Sequence, residues 1–172
     1  GYHGEYLIPI SQNFLNSNIT DIEQIKNESV NYFLSQHQSM LNNFRVNFKN
    51  WIRESEIRSK GYVEKTLKIF KDKGLLFELD GATYLKTTIF NDARDRVIIT
   101  SDGRYTYLLP DIAYHLNKIE RNYQLLITIL GPDHLGQVNS LYAGLKALDY
   151  SENILRIIIV QEVKLKKDGK YI

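Results

Sequence analysis

Cysteine is absent from the 172 residues, which excludes a disulfide-stapled scaffold and any thiolate metal site. No apolar run approaches the ~20 residues that a bilayer-spanning helix needs, and no secretory leader pattern opens the chain. Proline is scarce, at three residues, and the sequence holds no internal repeat and no low-complexity tract. Charge of one sign is not in excess: 22 basic residues face 20 acidic ones, for a net charge of +2. That balance neither supports nor excludes RNA binding, because the surface distribution decides it. A Gly-x-Gly-x-x-Gly fingerprint and a lysine-bearing phosphate loop are also missing. What remains is a globular composition, 43% hydrophobic, with twelve tyrosines and enough length for one domain or one and a half. The chain opens at Gly1 without a methionine and closes at Ile172, just past a turn signal at Asp168-Gly169. Both ends read as positions inside a longer protein.

Three regions differ in character. Residues 1–9 are aromatic and turn-like. A helix is predicted over 21–44, with Thr20 or Asp21 as cap and Ile22, Ile25, Tyr32, Phe33, Met40, Leu41 and Phe44 at roughly helical spacing. Val46 and Phe48 suggest a short strand, and a second helix is expected over 59–73, ended by Gly74. Strands are predicted at 75–79, 82–85 and 97–100, with turns at Asp80-Gly81 and Asp102-Gly103. The last third alternates helix (111–119), strand (125–130), helix (135–148) and strand (154–160), followed by a hairpin over 162–172. Continuous apolar strands separated by helices argue for parallel pairing, with helices on both faces.

The chemistry-bearing residues gather where an open α/β sheet binds small molecules. Asp111 lies in the run Thr106-Tyr107-Leu108-Leu109-Pro110-Asp111-Ile112-Ala113-Tyr114-His115, otherwise apolar and aromatic. It either caps the helix beginning there or receives a cation, and a guanidinium suits it by geometry. Tyr107 is either a strand aromatic in the core or a ring beside the ligand. Glu54, in a charged stretch, is either a solvated surface residue or a second carboxylate opposite Asp111. Gly131-Pro132-Asp133-His134 links a strand to the next helix. Gly131 permits close backbone approach, Asp133 suits a helix cap or a ribose hydroxyl, and His134 suits adenine or phosphate. A metal site from His115, Asp133 and His134 matches no known ligand spacing. His3 and His37 read as structural or surface residues. Lys60, Lys65, Lys68, Lys71 and Lys73 load the second helix with charge, either solvated or facing an RNA backbone.

Together these segments resemble the catalytic core of the arginyl-tRNA synthetases, a class I aminoacyl-tRNA synthetase family. Thr106-Tyr107 through His115, then Lys118 and Arg121, match its most specific motif. Gly131-Pro132-Asp133-His134 matches its strand-end motif, where alanine is commoner than Pro132. Glu54-Ser55, Gly81-Ala82, Asp95-Arg96-Val97-Ile98 and Ser101-Asp102-Gly103 agree in order. The resemblance implies an α/β fold: part of a Rossmann-like class I catalytic domain, a parallel sheet with flanking helices, carrying a small α+β insertion. It implies residues 1–44 as a mainly helical N-terminal part of the core and 45–104 as the insertion or connective region. Residues 105–172 become the C-terminal half of the catalytic domain, ending before a Lys-Met-Ser-Lys-like loop.

The function implied is arginine–tRNA ligation. L-arginine and ATP, with Mg2+ accompanying the ATP, form arginyl-adenylate, and the arginyl group passes to tRNA(Arg). Glu54 and Asp111 would bind the guanidinium with Tyr107 beside them, and Gln137 is the candidate for a further arginine contact. Gly131, Asp133 and His134 would line the ATP side. No catalytic residue, bound metal or prosthetic group is expected in this chain, since the His-x-Gly-His and Lys-Met-Ser-Lys-like signatures do not occur in it. The isolated chain is therefore expected to be inactive, and the full-length protein to be a cytoplasmic monomer without membrane contact. The alternatives are another adenylate-forming nucleotidyltransferase of similar fold, or a non-catalytic RNA-binding module presenting a continuous basic face.

Overall fold

The computed structural model describes residues 4–161, 163, 164, 166, 167 and 169–171. Two compact units divide the chain, Gly1–Trp51 and Ile52–Ile172. In the first, a short 3-10 turn, Glu5–Leu7, leads into helix α1, Ile8–Asn16, with Pro9 in its first turn. Over residues 5–9 this replaces the turn-like reading, while residues 1–3 lie outside the described residues. A proline ring fixes φ where the helix needs no N–H, so Pro9 starts the helix rather than preventing it. Ile10 and Phe14 are its buried residues.

Helix α2, Ile22–Asn43, begins as expected, with the Asp21 carboxylate accepting from the Gln24 backbone N–H at 2.7 Å. The expected strand at Val46 and Phe48 does not form. Arg45 takes a left-handed φ of 58° and the Val46 N–H donates to the Leu41 carbonyl at 2.9 Å. Val46 therefore closes the helix, and its amide is not available for a ladder.

The second unit starts with helices α3, Glu54–Ser59, and α4, Tyr62–Asp72. One helix over 59–73 was expected, but it begins earlier and breaks at Gly61, whose φ of 74° stops α3 and redirects the chain. Gly74 ends α4 in the same way, with the Leu75 N–H bonded to the Phe70 carbonyl. Strands β1 (Leu76–Leu79), β2 (Ala82–Leu85) and β3 (Arg96–Ile99) form an antiparallel sheet in that order. Asp80 and Gly81, both at positive φ, make the two-residue turn that sets Leu79 opposite Ala82.

Helix α5, Leu108–Glu120, begins three residues earlier than predicted. Strand β4, Leu126–Leu130, then leads through a 3-10 segment, Pro132–Gln137, into helix α6, Val138–Ala147, and strand β5, Leu155–Ile159. The single helix expected over 135–148 thus opens as a 3-10 turn. Strands β4 and β5 pair in parallel, Leu126 opposite Leu155 through Leu130 opposite Ile159. One face is buried at Leu126 and Leu155, whereas Ile127, Ile129 and Ile158 are exposed on the other. The expected burial on both faces therefore does not hold within the described residues. The last pair is β6, Lys166–Lys167, with β7, Lys170–Tyr171. The predicted turn residue Asp168 lies outside the described residues, as do Glu162, Ile172 and His3.

One apolar core joins the second unit. Ile57, Val63 and Phe70 from α3 and α4 meet Leu85 and Ile98 from the antiparallel sheet, Leu109, Ile112 and Leu116 from α5, and Leu145 from α6. Helix α6 lies tight against α5 at Gly144, where an added Cβ would lie 2.3 Å from Ile112 Cδ1. This packing fixes the starts of α3 and α5 in one body. No helix among the described residues is long and apolar enough to cross a membrane.

Candidate functional site

Glu54 is the first residue of α3, where an acidic side chain complements the helix N-terminus. Its Oε1 accepts from Arg58 Nε at 2.9 Å and Nη2 at 2.6 Å. Asp111 sits one turn inside α5, its own N–H already donating to the Tyr107 carbonyl at 3.2 Å. Tyr107, not Asp111, is the N-cap residue of α5, so Asp111 does not take the cap position expected of it. Pro110 occupies the third position of the helix, where no amide partner is needed. The apolar residues Leu109, Ile112, Ala113 and Leu116 hold the inner face of α5 in the core and leave Asp111 on the other side.

Asp111 keeps solvent access, yet protein around it raises its carboxyl above the usual carboxylate range. The negative charge of Glu54 pushes in the same direction, while His134 and Lys118 pull the other way. Two residues 57 apart in sequence thus act on each other electrostatically, with no protein cation bridging them both among the described ion pairs. Tyr107 is the N-cap residue of α5 and is 81% exposed, so the alternative of a core strand aromatic does not hold.

Asp111 lines a cavity of about 250 Å³ together with Tyr114, His115 and Lys118 of α5, Thr128 and Leu130 of β4, and His134, Gln137 and Leu141. The fold therefore gathers Asp111, His134 and Gln137 at one recess. Glu54, Tyr107, Gly131 and Asp133 are not among its walls. The chain turns at Gly131, with the His134 N–H donating to the Gly131 carbonyl at 3.1 Å. A Cβ on Gly131 would fall 2.5 Å from Asp133 Oδ1, so the close approach there is by the chain's own carboxylate. Asp133 caps neither the 3-10 segment nor α6. Its Oδ2 lies 3.5 Å from His134 Nε2, and its side chain is 78% exposed.

Sequence reasoning assigned no role in this recess to His115, Lys118 or Thr128. The available signal was spacing: positions 111, 115 and 118 share one helix face. His115 is buried, with Nδ1 2.8 Å from the Asp111 carbonyl and Nε2 2.9 Å from Thr128 Oγ1. Burial, reinforced by Lys118, lowers its pKa to about 4, so the ring is neutral at pH 7. The Lys118 ammonium stands 4.2 Å from the Tyr114 ring centroid, and desolvation followed by repulsion from Arg121 lowers its pKa. Sequence reasoning also missed the pair Asp92–Arg96, two 2.8 Å bonds across the loop before β3.

The lysines of the second-helix region are largely matched by acids. Lys60 pairs with Glu56 at 3.4 Å, Lys68 with Asp72 at 3.5 Å, Lys73 with Asp149 at 2.6 Å, and Lys65 with Glu120. That matching offsets the positive face on which the RNA-binding alternative depends.

The family profile described as "tRNA synthetases class I (R), catalytic domain" matches residues 11–170. An arginine–tRNA ligase of Elusimicrobium minutum is 42% identical over 172 residues, covering 99% of this chain and 32% of the relative. One from Bacillus subtilis is 37% identical, with the same two coverages. A solved structure from Campylobacter jejuni, assigned there as an arginyl-tRNA synthetase, superposes with a TM-score of 0.87 at 29% identity, over 99% of this chain and 39% of that one. The Thermus thermophilus arginyl-tRNA synthetase shares the fold, with a TM-score of 0.72 at 15% identity over 81% of this chain and 30% of that one. The chain spans about a third of the length of the curated relatives it matches. With its parallel strand pair, flanking helices and the profile match over 11–170, the chain belongs to the class I arginyl-tRNA synthetase family, within the catalytic domain.

Proposed function

We propose that the full-length protein carrying this chain is an arginine–tRNA ligase. It activates L-arginine with ATP, accompanied by Mg2+, and passes the arginyl group to tRNA(Arg). The observation that carries this reading is the mutual repulsion of Glu54 and Asp111 beside a recess. Two carboxylates whose negative charges face each other form a receptor for a cation. A planar guanidinium can bond to both, which a lysine ammonium matches less well. Glu54 Oε2 carries no bond from Arg58 and is the oxygen offered to the ligand. Tyr107, exposed at the start of α5, lies against the arginine stem, and Gln137 meets the ligand from the lining of the recess. Gly131, Asp133 and His134 line the adenosine side.

In the reaction, an oxygen of the arginine carboxylate bonds to the α-phosphorus of ATP and the bond to pyrophosphate breaks. The nucleophile is already ionised, so no general base is required, and these residues act by positioning and electrostatics. The isolated chain is inactive in this reading. Residues 1–44 serve as the helical N-terminal part of the catalytic core, 45–104 as the insertion, and 105–172 as the C-terminal half of the nucleotide-binding fold. The separate antiparallel and parallel sheets support the last division. The full-length protein works as a cytoplasmic monomer.

The test is ATP–pyrophosphate exchange by the full-length protein with arginine, lysine or citrulline as the amino acid. Arginine alone should support exchange. Equal exchange with citrulline, which carries no charge, would end the reading of Glu54 and Asp111 as a cation receptor.

A further inference from the structure

His115 closes a bridge between two parts of the recess. Its Nδ1 lies 2.8 Å from the backbone carbonyl of Asp111, and its Nε2 2.9 Å from the hydroxyl of Thr128. A carbonyl oxygen can only accept, so Nδ1 carries the proton and donates. Nε2 is then a lone pair that accepts from the Thr128 hydroxyl. The tautomer with a bare Nδ1 would turn a lone pair toward the Asp111 oxygen, whereas the threonine hydroxyl can rotate to donate or accept. The Asp111 carbonyl therefore fixes the tautomer, and the Thr128 hydroxyl is the donor that Nε2 then requires.

Apolar packing of α5 on the sheet is non-directional. A hydrogen-bonded ring between the first turn of α5 and the middle of β4 adds a direction. Strand β4 runs straight into the Gly131–His134 turn, so the bridge ties the Asp111 turn to the strand that carries His134. His115 is only 3% exposed, so although it lines the recess it offers a ligand little surface.

We propose that His115 and Thr128 form a positioning pair, in which the threonine hydroxyl donates to the imidazole and so holds the Asp111 turn against β4. The inference rests on the reading of Asp111 as a guanidinium receptor and adds two residues that act through it.

The experiment uses the full-length protein with Thr128→Val, which removes the hydroxyl at nearly constant shape, and Thr128→Ser, which restores it. Two quantities are read: the KM values for arginine and ATP in pyrophosphate exchange, and the imidazole nitrogen shifts of His115 by NMR. The wild-type ring should carry its proton on Nδ1. Thr128→Val should leave the proton on Nδ1, shift the Nε2 resonance as its donor is lost, and raise the arginine KM by about tenfold, the equivalent of one ordinary hydrogen bond. The ATP KM should stay unchanged, and Thr128→Ser should restore both readings. The proposal is overturned if the wild-type proton sits on Nε2, if Thr128→Val leaves the Nε2 shift unchanged, or if the two KM values rise together or not at all. Asp111→Asn is measured alongside. An unchanged arginine KM in that variant would overturn the reading of the site itself. A large rise there with a silent Thr128→Val would overturn only the positioning pair.

Discussion

Asp111 combines solvent access on one side with crowding protein on the other, and its chemistry follows from that asymmetry. Its carboxyl is harder to ionise than usual because of burial and then Glu54, so a cation that binds both carboxylates gains affinity by relieving their repulsion. Asp111→Asn in the full-length protein should lower kcat/KM for arginine by roughly 2–5 kcal/mol, the scale for removing one partner of a desolvated charge pair. Use of ATP should change little, and a comparable loss for ATP would assign Asp111 to the nucleotide instead. His115 offers a second residue-scale test. Because its pKa is lowered to about 4 by burial and by Lys118, its ring resonances should stay constant from pH 8 to pH 5 in an NMR titration. A midpoint near 6.5 would contradict the buried, bridged geometry.

The elements meet where small residues permit it. Gly144 lets α6 lie against Ile112 of α5, and a Cβ there would come within 2.3 Å of a side chain that is fully buried. Gly144→Ala should therefore destabilise the fold by about 1–3 kcal/mol, the usual cost of overpacking, read as a lower urea midpoint at unchanged m-value. The breaks in regular structure were harder to read from sequence than the elements themselves. Gly74 and Asp80-Gly81 were legible because glycine at positive φ is a strong local signal. Arg45 was not, because an arginine in the left-handed region has no signature of its own. Val46 therefore looked like a strand residue although its amide closes α2. Gly61 was visible in the sequence, but the amphipathic pattern of α4 ran through it in the expected helix.

At the scale of the whole molecule, two buried groups set the response to acid. His115 has a folded pKa of about 4 against an ordinary 6.5. Between those values the unfolded chain binds a proton that the native state refuses, so stability complete above pH 6.5 falls by about 3 kcal/mol as pH drops to 4. Asp92 is held at about 2 against 3.8, chiefly by its bond to Arg96. Its contribution of about 2 kcal/mol is present above pH 3.8 and is lost as pH falls toward 2. Acid unfolding should therefore steepen in two stages. Asp92→Asn should remove the lower stage and destabilise the protein at neutral pH by about 3–5 kcal/mol, because it strands the guanidinium of Arg96, only 19% exposed. Urea titrations of variant and wild type at pH 7, 5 and 3 check both statements. A single stage centred near pH 4, unaffected by Asp92→Asn, would contradict them.

The family was readable from the polymer alone, since the run from Thr106 to His115 and the Gly131–His134 turn are local patterns whose residue types carry the likeness. So was the alternation of helix and strand in the last third, because apolar periodicity is a short-range property. The sequence could not say that Asp111 sits inside a helix rather than at its cap, that Glu54 reaches it electrostatically, or that His115 joins Asp111 to Thr128. Nor could it show that the face bearing Ile127, Ile129 and Ile158 lies exposed in the described residues. Each of those facts depends on which distant segments share a core, and Ile57, Ile112 and Leu145 come together only when α3, α5 and α6 pack. Side-chain type is written in the chain, whereas charge coupling, tautomer and burial arise from neighbours that only the folded structure supplies.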